Sequence, residues 1–481
     1  MDSETSPAGI PADEWAATSP FVRHAFVALL SILAQQQQQL SQLHARTAEL
    51  EARLNQHSQN SAKPPSSDPP TAAPRRPRPA PTRAKGGQPG HPKHDRPVPD
   101  PDHIDATCDY YPPLCPQCQT TLTDTRRDAC AIQIQHVWEI PVVRPHITAH
   151  QYHTLCCPGC GDLVTAQRPP DVPPGAFGPR TVATITVLHG RFRLSDREIP
   201  ALLHAFFGLP LSLGSVVDLQ QIGSAALAPV YATIHTTVQQ TDRCNVDETG
   251  WKEAGKRRWL WTMVTAIATL FCVATSRDGP ALRHLLGTAY RGIVGSDRHR
   301  PYLAIPPDRH QLCWSHLIRN FQGLVDRGGS LGVWGSDLLA LSGVLFRLWH
   351  LFREGTIDRS TLQDAMAPIQ AALRARLVQG TRRCDRAAEM SAELLAHWDA
   401  LWTFVREEGV EPTNNAAERA LRPAVLWRKG CFGAQSAAGN RFVERMLTVV
   451  ATCEQQNRHL LTFVTEAVEA YWKGVPAPRL V

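Results

Sequence analysis

Near residue 240 the apolar residues stop recurring with a helical period and begin to alternate. CNVD (244–247) leads into RRWLWTMVTAIAT and LFCVATS, two β-rich runs with a tight connection. PALRHLLGTAY then reads as a helix, GIVGSD as a strand, and DRHQLCWSHLIRNFQGLVD as a short strand running into a helix. From about 331 to 408 the pattern is helical with no strand signal, and a last helix begins near TNNAAERALRPAVL. Three strands, a helix, two more strands and a helix make the order of an α/β domain with a mixed sheet. Residues 240–330 and 409–481 are its two parts, and 331–408 is a helical insertion between them.

The chain before residue 240 reads as separate pieces. Residues 1–60 form a helix in which Phe26, Leu33, Leu40, Thr47 and Leu54 share one heptad position, and Leu29, Gln36, Leu43 and Leu50 another. That is a coiled-coil seam weakened by Gln36 and Thr47, so a dimerising coil and a helix packed on its own chain both fit. Residues 61–101 are rich in Pro and Ser and read as an extended linker that cannot bury a core. Eight basic residues lie between Lys63 and Arg96 against two acids, so this arm alone carries the +6 of the whole chain. Charge so localised is a plausible phosphate-binding footprint.

Residues 102–168 hold CPQC (Cys115, Cys118) and CPGC (Cys157, Cys160), with strand-like IQIQHVWEIPVV and HITAHQYHTLC between them. Two C-x-x-C knuckles supply the four thiolates of a closed tetrahedral Zn²⁺ site, with Cys156 a rival to Cys157. Residues 178–239 are helical. One helix from about Asp196, capped by Ser195, a GLPLS turn and a second helix from about Leu213 resemble a helix-turn-helix. Thirteen cysteines among 481 residues are too sparse for a disulfide scaffold. AFVALLSILA (25–34) is too short to span a bilayer and lacks a cleavage site. A cytoplasmic protein with no membrane partner is the expectation.

Three acids stand out: Asp247 at the expected end of the first strand, Asp297 at the end of GIVGSD, and Glu418 one turn into the last helix. Carboxylates at strand ends and on a flanking helix can converge on one rim of a sheet, where oxygen ligands suit Mg²⁺ or Mn²⁺. Singly, each also fits a turn, a loop or a first-turn helix residue.

NVDETGW, GIVGSDRHRPY, QLCWSHLIRNF and NNAAERALRPAVLWRKGCFG resemble the core motifs of the insertion-sequence-66 family of bacterial transposases. NSAKPPSSD, GGQPGHPKH and the paired C-x-x-C elements are similar to that family's N-terminal half. The resemblance covers nearly the whole chain in order. It implies a ribonuclease-H-like catalytic core of the DDE type, with an α-helical insertion before the glutamate. Its acids fall on Asp247, Asp297 and Glu418. The implied activity cuts the ends of an insertion sequence and joins them to target DNA by in-line displacement with two Mg²⁺ or Mn²⁺ ions, Asp247 bridging both. Terminal-repeat and target DNA, a homo-oligomeric synapse and accessory proteins of the same element are the implied partners.

Neighbouring residues take smaller roles. Glu248 should face away from Asp247, behind the site or outward. Cys313 and His316 look like the C-x-x-H signature that follows the second acid in several DDE families, with a buried thiol and a helix-start polar residue as the plainer reading. Asn414 and Asn415 suit a helix cap, Asn415 also a site-supporting role, and Arg419, Arg422, Arg428 and Lys429 suit DNA phosphates. Trp251, Trp259 and Trp261 read as sheet packing. A ribonuclease-H-like nuclease without strand transfer and an idle DNA-binding regulator remain the competing functions.

Overall fold

Alternating burial along residues 243–253, with Cys244, Val246 and Glu248 inward, produces the strand on which the larger unit is organised. The computed structural model describes residues 5–7, 9–61, 98–122, 133–383 and 385–481. The basic tract from Lys63 to Arg96 lies outside the described residues. The chain forms two units: Met1–Ala72 with Tyr152–Ile199 and Leu213–Val481, and Ala73–Gln151 with Pro200–Ser212.

The helices α1 (Ala12–Ala17) and α2 (Pro20–Leu54) come first, and Trp15 meets Phe26 edge-on at 5.7 Å. Leu29, Leu33, Leu40, Leu43, Leu50 and Leu54 of α2 are exposed. A short hairpin follows, β1 (Thr154–Cys156) and β2 (Leu163–Thr165). The strand pattern expected in IQIQHVWEIPVV is not realised: described residues 133–143 carry no strand and are almost all exposed. With no ladder partner and no buried face, β-propensity alone does not hold a strand.

Helices α3 (Pro179–Gly190), α4 (Glu198–Phe207), α5 (Leu213–Ala226) and α6 (Ala228–Val238) come next. A capping box starts α4: Ser195 N–H donates to Glu198 Oε2 at 2.8 Å and Glu198 N–H to Ser195 Oγ at 3.3 Å.

The sheet comprises β3 (Arg243–Glu253), β4 (Lys256–Val264), β5 (Thr269–Ala274), then, after α7 (Gly279–Leu286), β6 (Ile293–Ser296) and β7 (His310–Leu312). Its order is β5-β4-β3-β6-β7, antiparallel from β5 to β3 and parallel from β3 to β7. The mixed α/β order is therefore as expected, with one boundary moved. The first strand does not end at Asp247 but continues through Glu-Thr-Gly-Trp to Glu253. The turn is Ala254–Gly255, both at positive φ (47° and 76°), as a I′ hairpin turn requires. Gly255 meets that demand without strain.

After α8 (Trp314–Val325) come α9 (Gly329–Arg353), α10 (Arg359–Thr381), α11 (Arg386–Ala396) and the single turn α12 (Thr403–Arg406). Their apolar faces form a second core around Trp334, Leu338, Leu345, Leu373 and Trp402. By length and composition α9 could cross a membrane, but Trp334, Leu338, Leu345 and Trp349 place it in that core. Helices α13 (Asn415–Cys431), α14 (Ala437–Gln455) and α15 (Leu460–Lys473) return to the sheet.

The free edge of β5 is closed by side chains of α14 at helical spacing. Thr269 N–H donates to Thr452 Oγ1 at 3.2 Å, Phe271 N–H to Thr448 Oγ1 at 2.9 Å and Val273 N–H to a Glu444 carboxylate oxygen at 2.6 Å. An edge strand is thereby denied to outside chains. Thr448→Val keeps the shape and strands the Phe271 N–H in a buried place. It should destabilise the fold by about 1–3 kcal/mol, read as a lowered urea midpoint at unchanged m-value; an unchanged midpoint would show that the bond contributes nothing.

Candidate catalytic centre

Register places the first two acids together. β3 and β6 pair in parallel as Arg243↔Ile293, Cys244↔Val294 and Asn245↔Gly295, and there the ladder stops. Two residues further along each chain stand Asp247 and Asp297, on the face shared by Asn245 and Gly295. A Cβ at 295 would meet Asn245 Oδ1, so a larger residue there would have to displace the Asn245 side chain. Asp297 Oδ1 accepts the His299 N–H at 2.8 Å, and Asp247 Oδ1 the Glu248 N–H at 2.9 Å.

Helix α13 supplies the third acid and is fastened to β3 at both ends. Beyond Asn245, β3 has lost its β6 neighbour, and Asn414 Nδ2 donates to the open Val246 carbonyl at 2.7 Å. Asn414 stands at the N-cap position, yet its side chain makes no capping bond. The capping role read from the sequence is thus replaced by a tie between helix and strand. At the other end Arg428 donates to Thr249 Oγ1 at 3.2 Å and to the Gly250 carbonyl. Ala417, Leu421, Ala424 and Trp427 are the buried stripe between them. Glu418, in the first turn, lies beside that stripe.

Around Glu418 gather residues of α8. Glu418 Oε1 is 3.2 Å from Arg319 Nη2 and 3.5 Å from His316 Nδ1. Cys313, at the start of the helix, accepts the Asn414 N–H on Sγ at 3.2 Å. Ser315 Oγ reaches Asn415 Oδ1 at 3.5 Å. Arg319 escaped the sequence reading, although it lies three residues after His316, a spacing that shares a helix face.

Burial pushes the Asp247 carboxyl well above the usual carboxylate range, and the charges of Glu248, Asp297 and Glu418 push it further. Asp247 retains some exposed surface, but closely packed protein removes most of its hydration. Burial also raises Glu248, with the Asp297 charge adding, while Arg277 and Tyr302 oppose the shift. Glu248 points to the opposite face of β3, where Arg277 and the Tyr302 hydroxyl both bind its carboxylate. The outward orientation allowed by the sequence is excluded, since its side chain is fully buried. Burial lowers the His316 imidazole and pushes the Cys313 thiol up to about 11.

Arg419, Arg422 and Lys429 are exposed on α13, whereas Arg428 is half-buried on its ties to β3. Trp251 and Trp261 are core residues, and Trp259 lies under the guanidinium groups of Arg257 and Arg277, 4.6 and 5.0 Å from its ring.

The two cysteine knuckles have the same backbone form. Cys115 N–H bonds Thr120 O and Gln119 N–H bonds Cys115 O, each at 2.9 Å; Cys157 N–H bonds Asp162 O at 2.8 Å and Gly161 N–H bonds Cys157 O at 2.9 Å. Gln119 and Gly161, the residues after the second cysteines, both have positive φ (58° and 78°). Hydrogen bonds from Thr120 lower the Cys118 thiol, and backbone bonds from Cys160 and Gly159 lower Cys157. Cys156 instead has its Sγ 3.4 Å from the Gly161 carbonyl.

Fold and site together define an α/β protein with an acidic centre between a mixed sheet and a flanking helix. The transposase IS66 family matches residues 174–441, more than half the chain, and the chain belongs to that family. A family of unknown function, DUF6444, matches residues 19–97. Uncharacterized protein y4hP of Sinorhizobium fredii (strain NBRC 101917 / NGR234) is 25% identical over 318 residues, 58% of this chain and 57% of that protein. Uncharacterized protein y4qI of the same strain is 26% identical over 216 residues, 41% of this chain and 39% of that protein. The chain thus spans less than two thirds of these relatives.

Asp247 and Asp297 form no ion pair among the described residues, so a divalent cation would relieve their repulsion. Without one, the native state keeps the Asp247 proton above the unfolded value of about 3.9. Native protein then binds more protons than unfolded chain across that window, and stability falls as pH rises through it. Asp247→Asn should raise the melting temperature of metal-free protein at neutral pH, by about 2–4 °C per kcal/mol relieved. Mn²⁺ should raise it for wild type and much less for the variant. Equal melting of the two metal-free proteins would contradict this electrostatic account.

Proposed function

We propose that this chain is a DNA transposase of the DDE type, which cuts the ends of its element and joins them to target DNA. The observation that carries the reading is the convergence of charge on Asp247, whose carboxyl is raised by burial and by Glu248, Asp297 and Glu418. Three antiparallel strands continuing into two parallel ones support a ribonuclease-H-like core, with 331–408 inserted before Glu418. Family membership supports DNA as the substrate.

Asp247, Asp297 and Glu418 would hold two Mg²⁺ or Mn²⁺ ions, whose preference for oxygen ligands these carboxylates suit. Such ions, when bound, activate the attacking oxygen and stabilise the leaving one. The chain's own part is to hold the acids rigidly: Asn414 and Arg428 fix α13 on β3, and Arg319 orients Glu418. Exposed Arg419, Arg422 and Lys429 hold DNA phosphates. A water oxygen forms a bond to phosphorus at the element end as the bond to the departing 3′ oxygen breaks. That released 3′-hydroxyl then attacks a target phosphorus in the same way, and no covalent protein intermediate is required.

Each knuckle, Cys115 with Cys118 and Cys157 with Cys160, offers two thiols suited to structural Zn²⁺ in this reading. Exposed leucines of α2 give one means of pairing two chains in a synapse. Accessory proteins of the element and a cytoplasmic location complete the proposal.

The test is cleavage of DNA carrying the element's own ends, with Mg²⁺ or Mn²⁺. Asp247→Ala, Asp297→Ala and Glu418→Ala should each reduce cleavage to background while still shifting the DNA in a gel. Normal cleavage by Glu418→Ala would sink the triad. Pre-cut ends separate transposase from nuclease, because only the former joins them to a target.

A further inference from the structure

The Cys313, His316 and Glu418 side chains are used only in part by the proposed chemistry. Their ligand atoms all lie within 4.8 Å of one another, the one such trio of metal-ligand type among the described residues. They come from two elements, α8 with its preceding residue and the first turn of α13, which Asn414 locks together. His316 is 8% exposed, and its Nδ1 is buried without a hydrogen-bond partner, 3.5 Å from Glu418 Oε1. A buried polar atom left unpaired costs free energy comparable to a lost hydrogen bond. Such an orphan beside a carboxylate, in a cluster that includes a thiol, calls for a cation.

We propose that Cys313 Sγ, His316 Nδ1 and Glu418 Oε1 bind one Zn²⁺ or similar borderline-soft divalent ion. A thiol and an imidazole do not suit Mg²⁺, whereas sulfur, nitrogen and one carboxylate oxygen are a zinc set. Three protein ligands leave a fourth position for water. The groups that support the ligands are already in place. Asn414 N–H bonds Cys313 Sγ at 3.2 Å, and Arg319 bonds Glu418 Oε1 at 3.2 Å, as ligating thiolates and carboxylates are commonly supported. Binding releases the Cys313 proton to solvent. The ion couples the start of α8 to the start of α13, and so fixes the carboxylate from its far side. This inference stands on the three ligand atoms and does not depend on the transposase reading.

The test uses the full chain with Cys313→Ser and His316→Gln variants, folding checked by circular dichroism. Zinc per folded chain should fall by one equivalent in both, whatever the cysteine knuckles hold. On Co²⁺ substitution, the visible d–d bands should lose intensity in both. His316→Gln keeps every thiol, so its loss cannot come from the knuckles. The same zinc content and the same cobalt spectrum in His316→Gln as in wild type would overturn the proposal. Should neither variant fold, X-ray absorption of the wild-type zinc protein decides: nitrogen or oxygen neighbours are expected beside sulfur, and a shell of sulfur alone refutes the site. Absence of DNA cleavage by wild-type protein that holds this zinc equivalent would count against the transposase reading alone.

Discussion

When β6 ceases to pair with β3 at Asn245, the Val246 carbonyl is left without its ladder donor, and the Asn414 amide takes the vacancy. Much follows from that one bond. It requires the segment before α13 to lie against β3, and so brings the first turn of the helix over the end of the parallel ladder, where Asp247 and Asp297 emerge. Glu418 comes with it. A buried carbonyl must be satisfied, and here its partner is the residue that begins the helix carrying the third acid. Arg428 repeats the arrangement four residues further along β3, at Gly250, so α13 can neither slide nor rotate without losing one of these bonds.

The same centre carries an electrostatic cost. Glu248 is neutralised from below by Arg277 and Tyr302, and Glu418 is partly neutralised by Arg319. Asp247 and Asp297 have no such partner among the described residues. Strain of this kind is kept where function needs it. The helical insertion supports the second acid from outside: Arg298, next to Asp297, binds Glu393 of α11 and donates to Asn320 Oδ1 at 2.9 Å. The inserted helices, with their separate core, thus reach the loop that carries Asp297.

Much of this was legible in the sequence because it lies in local period and spacing. The mixed α/β order followed from alternation at 244–274, and the Ser195 cap from its place just before a helical run. What escaped was non-local. Glu-Thr-Gly-Trp reads as a turn because glycine and acids favour turns, but pairing with β4 overrides that preference and moves the turn to Ala254–Gly255. Asn414 reads as a cap because Asn favours that position, and only the missing β6 partner reveals its other use. Gln133 to Val143 looks like a strand by composition, yet pairs with no strand among the described residues. Charge partners such as Arg277 for Glu248, 29 residues away, leave no local trace.

The most direct measurement is the anomalous scattering of Mn²⁺ in crystals of the full chain. The account predicts density in contact with the carboxylates of Asp247, Asp297 and Glu418, and its loss in Asp297→Ala crystals. Manganese bound elsewhere, or absent from these carboxylates in wild-type crystals, would contradict the centre as described.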